Sequence, residues 1–405
     1  MKLPPINTQP NYKSYDVVII GGAMIGSSVA WWLSDNSDFQ GRVLVVEKDP
    51  TYELSSTAHS NSCIRQQFSS AINVQISQFA AKFIKEFREF MHNDPAVPEQ
   101  VIHNFGYMYL ADSKDFAAIL RRDQKLQSTF GAGTQIMSPD QIAADYPFYN
   151  LDGIILGSHN KVDEGYFDGG SLFDWWRRKS CQNGVEYVAG EVVAIGQNDG
   201  RVSTVTLADG QTISCGAIVN ATGPRAARTA AMAGLSIPVE PRRRYTYVFD
   251  AERPLDRDLP LTIDPSGIHV RTDGKYYMAG GPPDGDDLAV APDDFSFDHG
   301  LWENKVWPTI ATRVPALEAV KVINSWVGHY AYNTLDQNAI VGWHPDLTNF
   351  MLVNGFSGHG FQQAPAMGRG VAELVLYGEY RSLDLTPLGF DRIVLGETLT
   401  ERAVI

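Results

Sequence analysis

The sequence predicts an α/β fold with α+β character, in which a doubly wound parallel sheet is combined with a separate antiparallel β-rich layer. Two observations predict it. A buried strand, a glycine-rich turn and a helix follow one another near the start of the chain, and short strands with tight turns recur from Val185 onward. The chain has 405 residues, of which 44% are hydrophobic, and is long enough for two or three domains with packed cores.

The first strand, turn and helix are the segments YDVVII, GGAMIG and SSVAWWLS. The N-terminus of such a helix binds a diphosphate well, because unpaired backbone N–H groups point at it and the helix dipole favours negative charge. Alanine replaces the second glycine of the usual G-x-G-x-x-G pattern, so one methyl group would face the diphosphate. The candidate dinucleotide-binding residues in this turn are Gly21, Gly22, Ala23, Met24 and Gly26.

A second buried strand, RVLVV, ends at Glu47, which lies 21 residues after Gly26. A carboxylate at about this distance bonds a ribose hydroxyl in dinucleotide-binding domains. We therefore add Glu47 and the adjacent Lys48 to the candidate cofactor-binding residues. This pattern does not distinguish FAD from NAD, and a structural βα turn without a ligand is the alternative interpretation.

From Val185 onward the sequence predicts short strands separated by tight turns. The segments VEYVAG, EVVAIGQ, VSTVTL and QTISCGAIVNATG, with turns at Asn198-Asp199-Gly200 and Asp209-Gly210, predict an antiparallel meander. A hairpin of IHVR and YYMAGG, together with the strand-like segments GYMYLA and YTYVFDA, predicts a second β-rich layer, which we assign to the substrate. The acidic segment from Pro282 to Asp298 predicts a solvated loop, with an active-site lid as the alternative.

The composition argues against several classes of protein. Asp and Glu total 47 against 33 Lys and Arg, a formal net charge of -14, so we expect no nucleic-acid partner. The cysteines Cys63, Cys181 and Cys215 lack metal-ligand spacing and are too few for a disulfide framework, so we expect no metal. The first residues lack the apolar run of a signal peptide, and no later stretch has membrane-spanning length. We therefore expect a cytoplasmic protein without membrane insertion.

Four segments between Asp16 and Leu374 give the chain a resemblance to a known family: DVVIIGGAMIGSSVAWWL, SSTAHSNSCIRQQFS, GHYAYNTLDQNAIVG and NGFSGHGFQQAPAMGRGVAEL. They resemble the D-amino-acid oxidase superfamily of FAD enzymes, in the branch of monomeric sarcosine oxidase. The resemblance implies FAD as the cofactor. It also implies a Rossmann-like FAD-binding domain with a β-meander, interleaved with an antiparallel-sheet substrate domain. The expected FAD-binding segments are 14–85, 155–240 and 326–405, and the expected substrate-binding segments are 86–154 and 241–325.

The glycine-rich loop GFSGHGF allows close backbone approach to a planar ligand and leads into a helix-compatible stretch that begins near Pro365. By resemblance, this helix N-terminus stabilises the negative charge that collects on the flavin when it accepts hydride. His359 stands beside the flavin or is a turn residue bonded to backbone. Gln362 occupies the place of a lysine that contacts the substrate carboxylate in sarcosine oxidases. The candidates in this segment are Gly355, Phe356, Ser357, Gly358, His359, Gly360, Phe361 and Gln362.

Arg65 resembles the carboxylate-binding arginine of the family, and a guanidinium can donate two parallel hydrogen bonds to a carboxylate. The alternative is an ion pair that fixes the loop. His329, Tyr330 and Tyr332 are candidates for the flavin-facing side of the substrate pocket, with aromatic strand packing as the alternative. We group these four residues with His359 as candidate catalytic residues.

The remaining cofactor candidates also come from the resemblance. Thr57-Ala58-His59 stands where related dehydrogenases carry a histidine bonded covalently to the flavin. We expect a non-covalent flavin, with a covalent link through His59 as the alternative. The further candidates in and around this segment are Ser56, Thr57, His59 and Ser62, and those in the meander are Val193, Ala221, Thr222 and Gly223.

The expected function is FAD-dependent oxidation of a small secondary amine or an N-substituted or imino amino acid. Hydride passes from the α-carbon to flavin N5, and the resulting imine hydrolyses. The expected partners are the small-molecule amine and either oxygen or an electron acceptor. One alternative is a non-catalytic FAD-containing assembly or electron-transfer partner. Another is an NAD enzyme without flavin.

Overall fold

The computed structural model describes residues 4–402. Its strands, in chain order, are β1 (Ser14–Ile20), β2 (Val43–Glu47), β3 (Cys63–Ile64), β4 (Tyr107–Ala111), β5 (Gln135–Met137), β6 (Leu156–Asn160), β7 (Gly165–Tyr166), β8 (Glu186–Ala189), β9 (Val192–Asn198), β10 (Arg201–Leu207), β11 (Thr212–Asn220), β12 (Val239–Ala251), β13 (Leu261–Ile263), β14 (His269–Asp273), β15 (Tyr276–Gly281), β16 (Val320–Asn333), β17 (Ile340–Trp343) and β18 (Phe350–Asn354). The α-helices are α1 (Met24–Ser34), α2 (Ala71–Lys85), α3 (Phe87–Phe90), α4 (Lys114–Thr129), α5 (Pro139–Asp145), α6 (Gly169–Gln182), α7 (Ala226–Met232), α8 (Trp307–Arg313), α9 (Gly360–Tyr377) and α10 (Asp391–Leu395). A π-helical turn at Trp302–Val306 leads into α8.

The first sheet has a parallel centre, with the strand order β17-β18-β11-β1-β2-β8. β1 pairs in parallel with β11 and β2, and β11 pairs in parallel with β18. Val18 and Ile19 of β1 are both fully buried, as a strand covered on two faces requires. The doubly wound sheet that the sequence predicts is confirmed.

The meander of the first sheet has three strands rather than four. β9, β10 and β11 pair antiparallel, as the two turns predict. The segment VEYVAG forms β8, which instead pairs in parallel with β2, so its assignment to the meander was wrong. The sequence pattern of this segment predicts a short strand but does not specify its partner. The partner is set by the position of the strand beside β2.

Helices cover the first sheet, and α1 packs directly on α9. Ser28 Oγ of α1 donates a hydrogen bond to the carbonyl of Ala364 at 2.7 Å. A Cβ atom at Gly368 would lie 2.1 Å from the same hydroxyl, so glycine permits this close approach of the two helices. The contact holds the N-terminus of α9 against the helix that follows the first glycine turn.

The second sheet is the predicted β-rich layer, with the order β16-β12-β15-β14-β13-β4-β6-β5. Its pairs are antiparallel except for β4 with β13, and the predicted hairpin is the pair β14 and β15. β6 lies in this sheet, although the sequence assigns residues 155–240 to the other domain. β16 begins in this sheet and runs across the expected boundary at residue 326. The domain boundaries stay predictions.

Two connecting segments bear on the site. Residues 282–298 contain neither helix nor strand, as predicted for a loop. Helix α9 begins at Gly360, five residues before the predicted start, and Pro365 lies inside it. The prediction was wrong because it placed the proline in the first turn, where proline is favoured. Among residues 4–402, no helix is long and apolar enough to cross a membrane.

Candidate active site

A cavity of about 330 Å³ lies where the carboxyl ends of β1, β2 and β11 meet the second sheet. Ile20 of β1, Glu47 of β2 and Ala221, directly after β11, line it from the first sheet. Tyr107, Thr246 and His269 line it from the second sheet. Open α/β sheets bind ligands at this edge. The cavity therefore brings together the predicted cofactor segments and the predicted substrate layer.

The first glycine turn has no room for side chains at two positions. Gly21 has a φ of 95°, and a Cβ atom there would lie 2.6 Å from the carbonyl oxygen of Ala221. A Cβ atom at Gly26 would lie 1.9 Å from the carbonyl oxygen of Gly21. Gly21, Ala23 and Met24 line the cavity, whereas Gly22 and Gly26 lie outside the lining that the described residues form. Gly26 thus permits the contact between strand and helix, as the pattern predicts.

Glu47 ends β2 beside this turn and lines the cavity. Its carboxylate accepts hydrogen bonds from the backbone N–H groups of Gly22 at 2.7 Å and Asp49 at 2.8 Å. Burial raises the pKa of Glu47, and the two N–H donors oppose that shift. Lys48 also lines the cavity and forms an ion pair with Glu191 at 3.1 Å.

The meander candidates occupy the same end of the cavity. Ala221, Thr222 and Gly223 line it after β11, as predicted. Val192 lines it from β9, whereas Val193 lies outside that lining and is 44% exposed. That Val193 binds the cofactor stays a prediction.

Ser56, Thr57, His59 and Ser62 line the cavity in the segment that precedes β3. Thr57 Oγ1 accepts a hydrogen bond from the N–H of Met24 at 3.2 Å, and Ser56 Oγ donates one to the carbonyl of His329 at 2.7 Å. His59 Nδ1 is buried, and a backbone hydrogen bond with Ser55 contributes to the electrostatics of the ring. Burial, followed by the nearby His329, lowers the pKa of His59, so its imidazole is neutral at pH 7.

Arg65 lines the cavity and is only 3% exposed. Its Nη2 lies 2.9 Å from His359 Nε2, and its Nε donates a hydrogen bond to the carbonyl of Gln67. A guanidinium can only donate, so His359 Nε2 is the acceptor in this contact. The backbone N–H of Arg65 donates to Gln362 Oε1 at 2.9 Å, and the guanidinium carbon lies 4.4 Å from the ring centre of Phe68. These contacts join Arg65, the predicted carboxylate-binding residue, to the second glycine loop.

The segment around Arg65 is held by a fully buried carboxylate, that of Glu164. It accepts hydrogen bonds from the N–H groups of Gln66 and Gln67 at 2.7 and 3.2 Å, from Gln67 Nε2 and from Asn160 Nδ2. Burial raises the pKa of Glu164 to about 7, and the hydrogen bonds from the Gln67 side chain, the Gln66 N–H and Asn160, together with the charge of Arg65, oppose that shift. The carboxylate therefore fixes the backbone that presents Arg65.

We expect Glu164→Gln to gain stability relative to the unmodified protein as the pH rises from 5 to 8. Because the pKa is raised in the native state, the folded protein holds a proton on Glu164 at a pH where the unfolded chain has lost it. This proton stabilises the folded protein at low pH, and the stabilisation is lost as the pH rises through 7. The free energy of unfolding of the variant, relative to that of the unmodified protein, should rise by about 1 to 3 kcal/mol between pH 5 and pH 8. Urea unfolding at both pH values measures it. Glu99→Gln, on a side chain that is 78% exposed, is the control. A difference that stays constant with pH would contradict the assignment.

The aromatic candidates of β16 have different surroundings. His329 lines the cavity, its Nε2 donates to the carbonyl of Asp294 at 2.8 Å, and its ring stacks on Phe295 at 4.3 Å. Tyr330 also lines the cavity, and a Cβ atom at Gly358 would lie 2.5 Å from its ring. Tyr332 lies outside the lining that the described residues form, with the guanidinium carbon of Arg242 4.5 Å from its ring centre. The loop of residues 282–298 therefore contacts the site through Asp294 and Phe295.

The second glycine loop faces the cavity at the N-terminus of α9. Gly355 has a φ of 73°, and Ser357 Oγ accepts a hydrogen bond from the N–H of Asn333 at 2.9 Å. These two residues support the loop from outside the lining that the described residues form. The members of the loop that line the cavity are Phe356, Gly358, His359, Gly360, Phe361 and Gln362.

Sequence reasoning missed several polar residues of the cavity wall. One signal was available for Arg244. Three consecutive arginines precede YTYVF, although the strand is otherwise rich in aromatic and β-branched residues, which are typical of a buried sheet. Arg225, directly after the predicted Ala221–Pro224 segment, was a second signal. The missed polar residues include Asn61, Tyr107, Arg225, Arg228, Arg244 and His269. Within the described part of the chain, no group of three or more His, Cys, Asp or Glu residues could hold a metal ion.

Comparisons with known proteins agree with this geometry. A family model described as "DAO: FAD dependent oxidoreductase" matches residues 16–374. The chain is 38% identical to FAD-dependent oxidoreductase domain-containing protein 1 of Bos taurus, with 96% of this chain and 87% of the relative covered. It is 24% identical to sarcosine oxidase subunit beta of Rhizobium meliloti, with 92% and 88% covered. Among solved structures, L-proline dehydrogenase from P. horikoshii has a TM-score of 0.81 at 24% identity, with 98% of this chain and 100% of that chain covered.

Proposed function

The chain belongs to the DAO family of FAD-dependent oxidoreductases, and we propose that it oxidises a small secondary amine or an N-substituted amino acid. One observation carries the proposal. Arg65 and Tyr330 line the same cavity as the two glycine-rich loops that the sequence predicts for the cofactor. The names of two similar proteins, a sarcosine oxidase subunit and an L-proline dehydrogenase, refer to amino acids with a substituted nitrogen.

The residues of the first sheet fit FAD. Gly21 adds no side chain to the turn before α1, where Ala23 contributes only a methyl group, so a diphosphate can approach backbone N–H groups there. Glu47 offers a carboxylate for a ribose hydroxyl, and Ala221–Gly223 close the same end of the cavity. When bound, FAD supplies the hydride acceptor. The N-terminus of α9, at Gly360, favours negative charge in the cavity during the reaction.

Arg65 has two roles in the proposed reaction. Its guanidinium binds the substrate carboxylate, and its positive charge lowers the pKa of the substrate amine. The second effect is needed because a protonated amine has no lone pair with which to expel hydride from the α-carbon. Loss of hydride leaves an imine, and water hydrolyses it to a carbonyl compound and a shorter amine. When the substrate is cyclic, the carbonyl group and the amine stay joined in one molecule. Oxygen or a separate electron acceptor takes up the two electrons.

Product analysis tests this proposal. The flavin-loaded protein is incubated with N-methylglycine, L-proline and glycine, in air and with an artificial electron acceptor. We expect a carbonyl product from at least one of the two secondary amines, and at least tenfold less from glycine, which has no nitrogen substituent. Product formation in air alone identifies an oxidase, and a need for the added acceptor identifies a dehydrogenase. No product under either condition would contradict the proposed function.

A further inference from the structure

The loop of residues 282–298 is anchored on the second sheet beside the cavity. The carboxylate of Asp287 accepts two hydrogen bonds from the guanidinium of Arg244 on β12, at 3.0 and 2.9 Å. The carbonyl of Asp294 accepts one from His329 Nε2 on β16 at 2.8 Å. Both arginine and histidine line the cavity, so the loop is fixed to the cavity wall at two points.

Between these two anchors, Asp293 connects the loop to the first sheet. Its carboxylate forms an ion pair with Arg225 and a longer one with Lys48, at 3.9 Å. Arg225 ends the turn that follows β11, and Lys48 directly follows β2. All three residues line the cavity. A segment that begins and ends on the second sheet therefore contacts two separate elements of the first sheet.

The ion pairs of Asp293 span the end of β1. In the first sheet β1 lies between β11 and β2, and the three strands are parallel, so their carboxyl ends lie at one edge. Arg225 and Lys48 stand on either side of that end, and Asp293 joins them. Gly21, which begins the first glycine turn, follows β1 directly and lines the cavity. The bridge thus crosses the place where the diphosphate of the cofactor is expected.

The bridge continues into a longer chain of ion pairs. Lys48 also pairs with Glu191 at 3.1 Å, and Glu191 pairs with Arg228 at 3.7 Å. The five side chains are between 23% and 55% exposed, although all of them line the cavity, so they form part of its rim. In order along the chain of ion pairs, they are Arg228, Glu191, Lys48, Asp293 and Arg225.

The strength of these contacts suits a cover that opens and closes. A single exposed ion pair contributes little to the stability of a fold, and salt screens it further. Such contacts can break to admit a cofactor and form again once it is bound. Each pair that must break before the cofactor leaves nevertheless slows its departure.

We propose that the loop of residues 282–298 covers bound FAD, and that the ion pairs of Asp293 with Arg225 and Lys48 hold it closed. The loop then acts as a lid, which is the alternative that the sequence leaves open for this segment. Its closure retains the cofactor. The inference needs FAD in the cavity but not the amine chemistry of the proposed function.

The rate of flavin release tests the inference without turnover. The flavin-loaded protein is diluted, rapid filtration at set times separates the released flavin, and its absorbance gives the rate. We expect Asp293→Asn to release flavin about three to ten times faster than the unmodified protein at low salt, because both ion pairs of the bridge are lost. At about 1 M salt, where charges are screened within about 3 Å, most of this difference should disappear.

Two further variants separate the ion pairs from other effects of substitution. Asp293→Glu keeps the negative charge and is expected to restore most of the slow release. The matched control is Asp284→Asn in the same loop. Asp284 is 65% exposed, pairs with Lys305 at 3.6 Å and lies outside the cavity lining that the described residues form. We expect this control to release flavin at the rate of the unmodified protein, and circular dichroism confirms that each variant is folded.

An unchanged release rate in Asp293→Asn, or the same increase in Asp284→Asn, would overturn the inference. Slower release in Asp293→Asn would also overturn it, because Lys48 and Arg225 would then bind the cofactor more tightly without Asp293. A flavin that none of the proteins releases would show that a covalent bond, and not the loop, retains it. Failure of the proposed amine oxidation would change none of these rates, so the two claims fail separately.

Discussion

Replacing Gly26 by valine is expected to abolish flavin binding. The first carbon of any side chain at this position would lie 1.9 Å from the carbonyl oxygen of Gly21. That oxygen belongs to the backbone of the glycine turn, so α1 must move away from β1 or the turn must distort. Extra side-chain carbons inserted into a well-packed core cost about 1 to 3 kcal/mol. The displacement also moves the N–H groups that face the diphosphate. Flavin absorbance per mole of purified protein, with circular dichroism to report folding, measures the effect.

The matched control is Gly170→Val, near the start of α6. A Cβ atom at Gly170 would lie 3.4 Å from Asp168 Oδ1, which is ordinary contact distance. We expect this variant to keep its full flavin content. Full flavin content in Gly26→Val as well would show that the first glycine turn is not the dinucleotide site.

Arg65→Ala is expected to lower kcat/KM for the amine substrate by roughly tenfold to a hundredfold. The variant loses a charged hydrogen bond to the substrate carboxylate, which contributes about 1.5 to 3 kcal/mol, and each 1.36 kcal/mol corresponds to a factor of about ten in rate. Initial rates over a range of substrate concentrations give the value. The loss should be smaller for an amine that lacks a carboxylate, because that substrate loses only the effect of Arg65 on the pKa of its amine.

Arg177→Ala controls for the loss of a buried arginine. Arg177 is 2% exposed, lies outside the cavity lining that the described residues form, and stacks on Tyr52 and Tyr187. We expect it to lower stability while kcat/KM changes little. Unchanged kcat/KM in Arg65→Ala would remove the anchoring role and leave the contacts of Arg65 with His359 and Gln67 as its whole function.

Local patterns predicted the first sheet well. The run from Tyr15 to Ile20, the glycine turn and the strand before Glu47 are each specified by neighbouring residues, so their arrangement could be deduced from the chain alone. The turns at Asp199-Gly200 and Asp209-Gly210 predicted the three-stranded meander for the same reason. The pairing of β8 with β2 could not be deduced, because it depends on a contact between segments about 140 residues apart.

The wall of the cavity was less predictable. Tyr330 and Tyr332 are two residues apart and therefore share one face of β16, but of the two only Tyr330 lines the cavity. Where the cavity ends along the strand depends on how the two sheets pack, which the sequence alone does not specify. His269 and Arg244 carry no motif, and they reach the cavity because β14 and β12 belong to one sheet. The start of α9 at Gly360 was misplaced because the prediction put Pro365 in the first turn of the helix, where proline is favoured, whereas the helix begins five residues earlier.

The measurement that tests the central claim most directly is anaerobic titration of the flavin absorbance, near 450 nm by general expectation for such cofactors. The flavin-loaded protein is mixed with N-substituted and cyclic amino acids, and with primary amino acids for comparison. The account predicts complete bleaching by about one equivalent of a secondary amine that carries a carboxylate. A bound flavin that none of these amines reduces would contradict it.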